Sequence, residues 1–448
     1  PWSSHFPNQR ETTEVLGVKN KLVKLIRKIL PKNLATWLAQ AYRSLRLKLV
    51  TFYYGNPARS LKTIAVTGTN GKTTTLCLIN QIFKTAGYKT AMFSTAVIEL
   101  AGESKMNDLN LTTPTTAGLQ RFLRAAKQAK VDFVLLEATS QALDQQKLPK
   151  LNLEVAIFTN LTQDHLDYHK TLDNYAFAKS RLWKMQPKYS VVNLDDAFGN
   201  YFAQFDPRER LVTYGVGKKA TLKIAHATLF KKGSDIVLET DDRKLELGTS
   251  LPGQFNVYNV AAAVGAALCV GVTDQVISEA VAELKTVPGR QQAVENDLGV
   301  DILVDYAHTP DALEKLLDFA QATAKGKISL VFGACGDRDR TKRPIMGRIA
   351  AEKADRLFVT DEENYHEDAA QIRQMILEGV KEVDPQLDKT LEAADRRAAI
   401  EAALAVADPG DMILITGLGH EQFRVIDGVK TPWQDTEIVK EILAKLAN

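Results

Sequence analysis

A glycine-rich turn set between an apolar strand pattern and a helical pattern narrows the folds open to this chain more than any other feature. Residues 66–75 read Val-Thr-Gly-Thr-Asn-Gly-Lys-Thr-Thr-Thr, after Ile64-Ala65-Val66 and at the start of a helical pattern running from Thr73 to Lys84. Strand, tight turn and helix in that order form the unit from which covered parallel sheets are built. Gly68 and Gly71 let the backbone approach phosphate oxygens, the first amides and dipole of the helix favour negative charge, and Lys72 adds a mobile cation. Thr73 or Thr74 can offer a hydroxyl to Mg2+, so a nucleoside triphosphate is expected on Gly68, Thr69, Asn70, Gly71, Lys72, Thr73 and Thr74. Val66 stands where the strict Walker pattern has glycine, which marks the turn as a variant.

At 448 residues the chain exceeds what one hydrophobic core usually serves, so two to three domains are expected. Residues 1–60 carry eleven Lys or Arg against Glu11 and Glu14, a net +9, whereas the remainder carries 46 basic and 52 acidic residues, a net −6. Three cysteines, Cys77, Cys269 and Cys335, lie far apart without metal-ligand spacing, which suits buried thiols in a reducing cytosol. No run is long and apolar enough to predict a spanning segment.

The basic first sixty residues hold two helical patterns on either side of Pro31, with apolar positions at Val18, Leu22, Leu25, Ile26 and Ile29, then at Trp37, Leu38, Tyr42, Leu45 and Leu49. Asn33 is placed to cap the second. Such a region packs on the next domain or lies on an anionic membrane face or a partner. From Leu61 strands alternate with helices, which predicts a parallel sheet between helices. Between about Ser190 and Gly248 strand-like pieces replace helices, so a β-ribbon is expected there. After Pro288-Gly289-Arg290 a second strand and helix series begins. The expected organisation is a helical region 1–60, a central ATP-binding domain 61–288 and a Rossmann-like doubly wound domain 289–448.

Chemistry concentrates at predicted strand ends. Glu137 opens Glu-Ala-Thr-Ser-Gln-Ala-Leu after one strand, and Asp164-His165-Leu-Asp167-Tyr-His169 follows another. A carboxylate and an imidazole beside the glycine turn suit a hard cation held against phosphate oxygens when its other ligands are oxygens or water. Asp305-Tyr-Ala-His308-Thr-Pro310 and Gly336-Asp337-Arg338-Asp339-Arg340-Thr-Lys342-Arg343 follow strands of the second series, and the latter suits anionic groups. Lys179 sits in a helical segment and by its surroundings in sequence is an ordinary surface lysine.

Taken together, T-G-T-N-G-K-T-T, E-A-T-S-Q-A-L, T-N-L-T-Q-D-H-L-D-Y-H, D-Y-A-H-T-P, G-D-R-D-R-T-K-R-P and G-L-G-H-E resemble the Mur ligase superfamily, closest to its muramyl-tripeptide synthetase branch. The resemblance implies an ATP- and Mg2+-dependent ligase: a substrate carboxylate takes the γ-phosphate, and the amine of an amino acid displaces phosphate from the acyl phosphate. It implies Mg2+ at Thr73 or Thr74, Glu137 and His165, and a carbamate on Lys179 for a second Mg2+. By the same resemblance Asn259 and Asp305 meet the adenosine and Arg290 the γ-phosphate. Thr112, Thr113 and Ser140 would face the muramyl-peptide acceptor, and Gly417, Glu421, Asn364 and Arg343 the incoming amino acid. A cytoplasmic monomer without nucleic-acid partners is expected.

Three departures from the family pattern matter. The short basic N-terminal region leaves uridine recognition open. The segment that selects diaminopimelate, usually D-N-P-R, reads Glu363-Asn364-Tyr365-His366 and lacks its arginine. Leu418 replaces a lysine in G-K-G-H-E, and Gln141 and Lys147 replace a His and an Arg. Alternatives that stay open are a lipid-linked or polyglutamate-type acceptor, and a nucleotide-dependent regulatory subunit on the same fold.

Overall fold

In the computed structural model residues 32–109 and 111–446 are described, so the helical pattern from Val18 to Ile29 lies outside the described residues. The run Thr63 to Val66 becomes β1 (Lys62–Thr67), buried at every residue after Lys62, as a strand covered on both faces must be. Around it stand β2 (Thr90–Phe93), β3 (Val97–Leu100), β4 (Glu103–Met106), β5 (Phe133–Glu137), β6 (Asn152–Phe158), β7 (Tyr189–Asn193), β8 (Arg210–Gly215), β9 (Leu222–Phe230), β10 (Gly233–Glu239) and β11 (Lys244–Thr249). They form one sheet in the order β11-β10-β9-β8-β7-β6-β1-β5-β2-β3-β4, parallel from β8 to β2. The expected β-ribbon is real but not separate, because β9, β10 and β11 pair antiparallel and continue this sheet. One short helix, Gly199–Ala203, interrupts the stretch expected to hold strands alone.

The position of β1 fixes the site. It lies between β5 and β6, with Val66 beside Glu137 and Thr67 beside Phe158, so the carboxyl ends of three strands meet at one topological switch point. Residues distant in sequence therefore flank the glycine turn.

A second sheet contains β12 (Gln292–Val294), β13 (Asp301–Asp305), β14 (Ile328–Phe332), β15 (Arg356–Thr360), β16 (Thr390–Ala393) and β17 (Met412–Thr416), in the order β12-β13-β17-β14-β15-β16. All but the edge strand β12 run parallel. Here β17 lies between β13 and β14, and the ends of β13 and β17 bring Asp305 and Gly417 to one crevice. The buried pair Arg396 and Asp435, joined through two hydrogen bonds of 2.8 and 2.7 Å, ties the last helix to this unit. Replacing either partner alone would leave a buried charge uncompensated.

The helix Lys32–Tyr53 already includes Asn33, which the sequence pattern had placed as its cap. It is tied to the helix Thr116–Gln128 by Arg46 and Thr51, which bond Thr116 and Gln120. Its outer face leaves Leu38, Leu45, Leu49 and Phe52 exposed. No helix among the described residues is long and apolar enough to cross a membrane. Cys77 is buried, whereas Cys269 and Cys335 are partly exposed, so the expectation of three buried thiols holds for one.

Candidate active site

A cleft of about 830 Å³ opens between the two sheets, lined from one by Lys72, Thr73, Glu137 and His165 and from the other by Asp305 and Glu421. The glycine turn is held open by its neighbours. Thr69 N–H donates to Asn160 O at 2.9 Å, Asn70 N–H donates to Asn160 Oδ1 at 2.8 Å, and Thr159 Oγ1 donates to Asn70 O at 2.7 Å. Gly71 caps the helix Lys72–Thr85 at φ 84°, and a Cβ there would lie 2.3 Å from Asn259 Oδ1. Only glycine meets both conditions. The first amides of this helix face the cleft with the positive end of the dipole.

Lys72 folds back on its own loop, donating to Gly68 O at 3.0 Å and Thr69 O at 2.7 Å. Burial lowers its pKa against the opposing pull of Glu137 and Asp164. Glu137, 1% exposed, accepts from Thr73 Oγ1 at 2.8 Å and from Thr95 N–H and Oγ1 at 2.7 and 2.9 Å. Arg290 reaches across to Thr73 Oγ1 at 3.3 Å, with its guanidinium 4.4 Å from the centre of the Tyr306 ring.

His165 sits at φ 55°, a left-handed conformation costly for a residue with a Cβ. Its Nδ1 is buried without a hydrogen-bond partner, and its Nε2 lies 3.4 Å from Asp164 Oδ2. Burial lowers its pKa against the opposing pull of Asp164. Burial alone would raise the Asp164 carboxyl, but His165, Lys342 and His308 outweigh it and hold the carboxylate ionised. Lys179 is 1% exposed, donates to Gly68 O at 2.7 Å and lies 4.4 Å from the Tyr175 ring centre. Burial, then Lys72, drives its pKa well below the ordinary lysine value. The surface lysine suggested by local sequence is thus a buried amine with a weakened hold on its proton.

The structure brings together most of the residues marked by sequence. Thr113 Oγ1 donates to Glu137 O at 2.9 Å, Thr112 Oγ1 lies 3.1 Å from Thr95 Oγ1, and Ser140 lies 2.9 Å from His169 Nε2. Asn259 joins Thr75 and Asn256 behind the turn. Asp305 accepts the amides of Gln291 and Ala307, each at 2.7 Å, while Gly417 and Glu421 line the cleft. Arg343 and Asn364 lie elsewhere. Arg343 is fully buried and grips Glu367 through two 3.0 Å bonds, and Asn364 ties Glu367 to Asp427. The cations of that run on the cleft wall are Lys342 and Arg338, the latter over the Tyr365 ring at 5.3 Å. Sequence reasoning gave no role to Thr95, Asp164, His308 or Lys342. The last three stood inside quoted motifs, but nothing local marked Thr95.

Contacts between the two units are polar. Asn70 Nδ2 donates to Asp311 Oδ2 at 2.8 Å, Gln163 Nε2 to Thr341 Oγ1 at 2.9 Å, and His420 Nε2 lies 2.9 Å from Thr95 O.

Comparison with known families decides the identity. Residues 66–267 match the Mur ligase middle domain and residues 289–419 the Mur ligase glutamate ligase domain. The chain belongs to the Mur ligase family. It is 40% identical over 392 residues to the UDP-N-acetylmuramoyl-L-alanyl-D-glutamate--2,6-diaminopimelate ligase of Aquifex aeolicus, covering 87% of this chain and 79% of that one. A solved structure of a ligase with the same name superposes with a TM-score of 0.61 at 33% identity, covering 92% of this chain and 83% of that one. Folylpolyglutamate synthase from Mycobacterium tuberculosis, complexed with ADP, shares the fold at 17% identity with a TM-score of 0.69, covering 83% and 91%. The chain is therefore an ATP-dependent amide ligase of the Mur type.

Proposed function

We propose that this Mur ligase adds an amino acid to a UDP-muramyl-dipeptide-type acceptor at the expense of ATP, through an acyl phosphate. The observation that carries this reading is the convergence of the glycine turn, Glu137, His165 and buried Lys179 on one side of a cleft whose other side presents Arg290 and Glu421. Phosphoryl transfer of this kind needs positioning and charge neutralisation rather than a protein nucleophile. The loop amides and Lys72 cradle the phosphates, Arg290 reaches the γ-phosphate, and Asn259 and Asp305 flank the adenosine. Thr112, Thr113 and Ser140 orient the acceptor. The Thr73 hydroxyl, the Glu137 carboxylate and the unpartnered Nδ1 of His165 would hold a Mg2+ ion, and a carbamate on Lys179 would help hold a second. Bound there, Mg2+ supplies charge neutralisation for the transferring phosphoryl group. Shielding by the second unit keeps water from the acyl phosphate until the amine arrives.

The test is phosphate release from ATP across an amino-acid panel. Release should require both the muramyl-dipeptide acceptor and one amino acid, and release indifferent to both would sink the reading.

Glu363 and Glu421 line the cleft as carboxyl groups, so an amino acid with a side-chain ammonium is expected to lead the panel. Burial first, then Glu363, pushes the Glu421 carboxyl up to about 8, against Arg290, Lys430 and Tyr306. Below that pH the group is largely neutral and attracts an ammonium weakly. The donor KM should therefore fall as pH rises from about 7 to 9, and Glu421→Gln should flatten that dependence. A donor KM that rises over this range would contradict the assignment.

A further inference from the structure

The helix Lys32–Tyr53 lies outside both spans that match the family domains, and none of its described residues lines the cleft. Its exposed Leu34, Leu38, Leu45, Leu49 and Phe52 fall, at about 100° per residue, within an arc of about 60°, and so form one straight apolar ridge. Arg46 and Thr51 stand outside that arc and tie the helix to the body of the protein. Arg46 Nη2 donates to Thr116 Oγ1 and Gln120 Nε2 to Thr51 Oγ1, each at 2.9 Å. These bonds hold the helix with its ridge toward solvent, where Phe52 is 87% and Tyr53 77% exposed. A contiguous apolar surface of this kind marks an interaction site.

Positive charge borders the ridge. Exposed Lys48 flanks it beside Leu45 and Phe52, and at its far end Tyr53 shares a groove with Arg124, Lys127 and Lys130, all three exposed. Among the described residues none of these four cations pairs with a carboxylate. Sequence gives the reason, since residues 15–98 and 109–131 contain no Asp or Glu. Charge also decides what can cover the ridge. Residues 1–31 bring six Lys or Arg against two Glu, and a second copy would bring the same cations, so either would set like charge on like. An anionic phospholipid surface supplies the opposite charge, takes leucine and aromatic side chains into its outer layer, and demands no matching shape from a straight ridge.

We propose that the helix Lys32–Tyr53 is a peripheral docking surface for an anionic phospholipid membrane. Leu34, Leu38, Leu45, Leu49 and Phe52 enter its outer layer, while Lys48, Arg124, Lys127 and Lys130 meet the headgroups. The protein then lies on the surface without crossing it. This goes beyond the ligase reading and does not depend on it.

The experiment is co-sedimentation of the full chain with vesicles of phosphatidylcholine alone and of phosphatidylcholine mixed with phosphatidylglycerol. Wild type should bind the mixed vesicles about tenfold or more tightly than the neutral ones, and added salt should weaken that binding. Leu45→Ser/Leu49→Ser/Phe52→Ser should lower binding to the mixed vesicles about tenfold. Arg124→Gln/Lys127→Gln/Lys130→Gln should bring the two vesicle types toward equal binding. Thermal midpoints serve as the folding control, and the second variant, changed only at exposed side chains, carries the test if the first does not fold. Wild type left in the supernatant with both vesicles, or bound equally to both, would overturn the proposal. Unchanged binding by either variant would also overturn it, moving the contact to residues 1–31 or another surface. Self-association in solution that the serine variant abolishes, without vesicle binding by wild type, would assign the ridge to a second copy instead.

Discussion

Replacing Lys72 with alanine is expected to reduce acceptor-dependent phosphate release about a thousandfold, with the loop backbone unchanged. Lys72 is the cation of the glycine turn, and its Nζ now rests on Gly68 O and Thr69 O. An incoming triphosphate offers it stronger, charged acceptors in a site where burial already strains the ammonium. Because the attraction grows as charge spreads over the transferring phosphoryl oxygens, kcat should fall more than ATP affinity. Single-turnover release measured beside ATP-analogue binding checks this split. A loss confined to binding would mean that Lys72 acts on the ground state alone.

Lys179→Ala is expected to lower kcat about a hundredfold while the protein keeps its fold. The side chain is buried among Gly68, Tyr175 and the turn, and burial lowers its pKa toward the free amine that carbon dioxide requires. Carbamylation would convert a cation that repels Lys72 into an anion that attracts both Lys72 and a metal. Lys179→Glu should therefore recover part of the lost rate, whereas Lys179→Met should not. Steady-state rates of the three variants, with thermal midpoints as the folding control, decide the matter. Equal rates for the Glu and Met variants would assign Lys179 a packing role.

The glycine turn could be read from sequence because its demands are local: a strand before it, φ above zero at Gly71, and a helix after it. Glu137 and His165 could be linked to it because strands of a parallel sheet end on one side, and β1 lies between the two strands that carry them. Thr95 could not, because its grip on Glu137 arises from the pairing of β2 with β5, which no residue near Thr95 announces. The charged run after Gly336 illustrates the same limit. Its chemistry suits anions, but the helix starting at Lys342 turns Arg343 inward to Glu367, leaving Arg338 and the Asp164-paired Lys342 on the cleft wall. Composition gives the charges of such a run, and only the local path of the backbone gives their directions. Lys179 shows it from the other side, since the fold buried a residue whose sequence neighbourhood was bland.

The seam between the two units has a thermodynamic consequence. Each apolar cluster lies wholly within one unit, the first two among residues 58–287 and the others among residues 294–442. Across the cleft run hydrogen bonds such as Asn70 to Asp311 and His420 to Thr95. Parting the units therefore wets polar groups and leaves the oily interiors dry, so the opening equilibrium carries little heat-capacity change. Its midpoint is set by ligand charge more than by temperature, and the cleft can admit three substrates in turn without loosening either core.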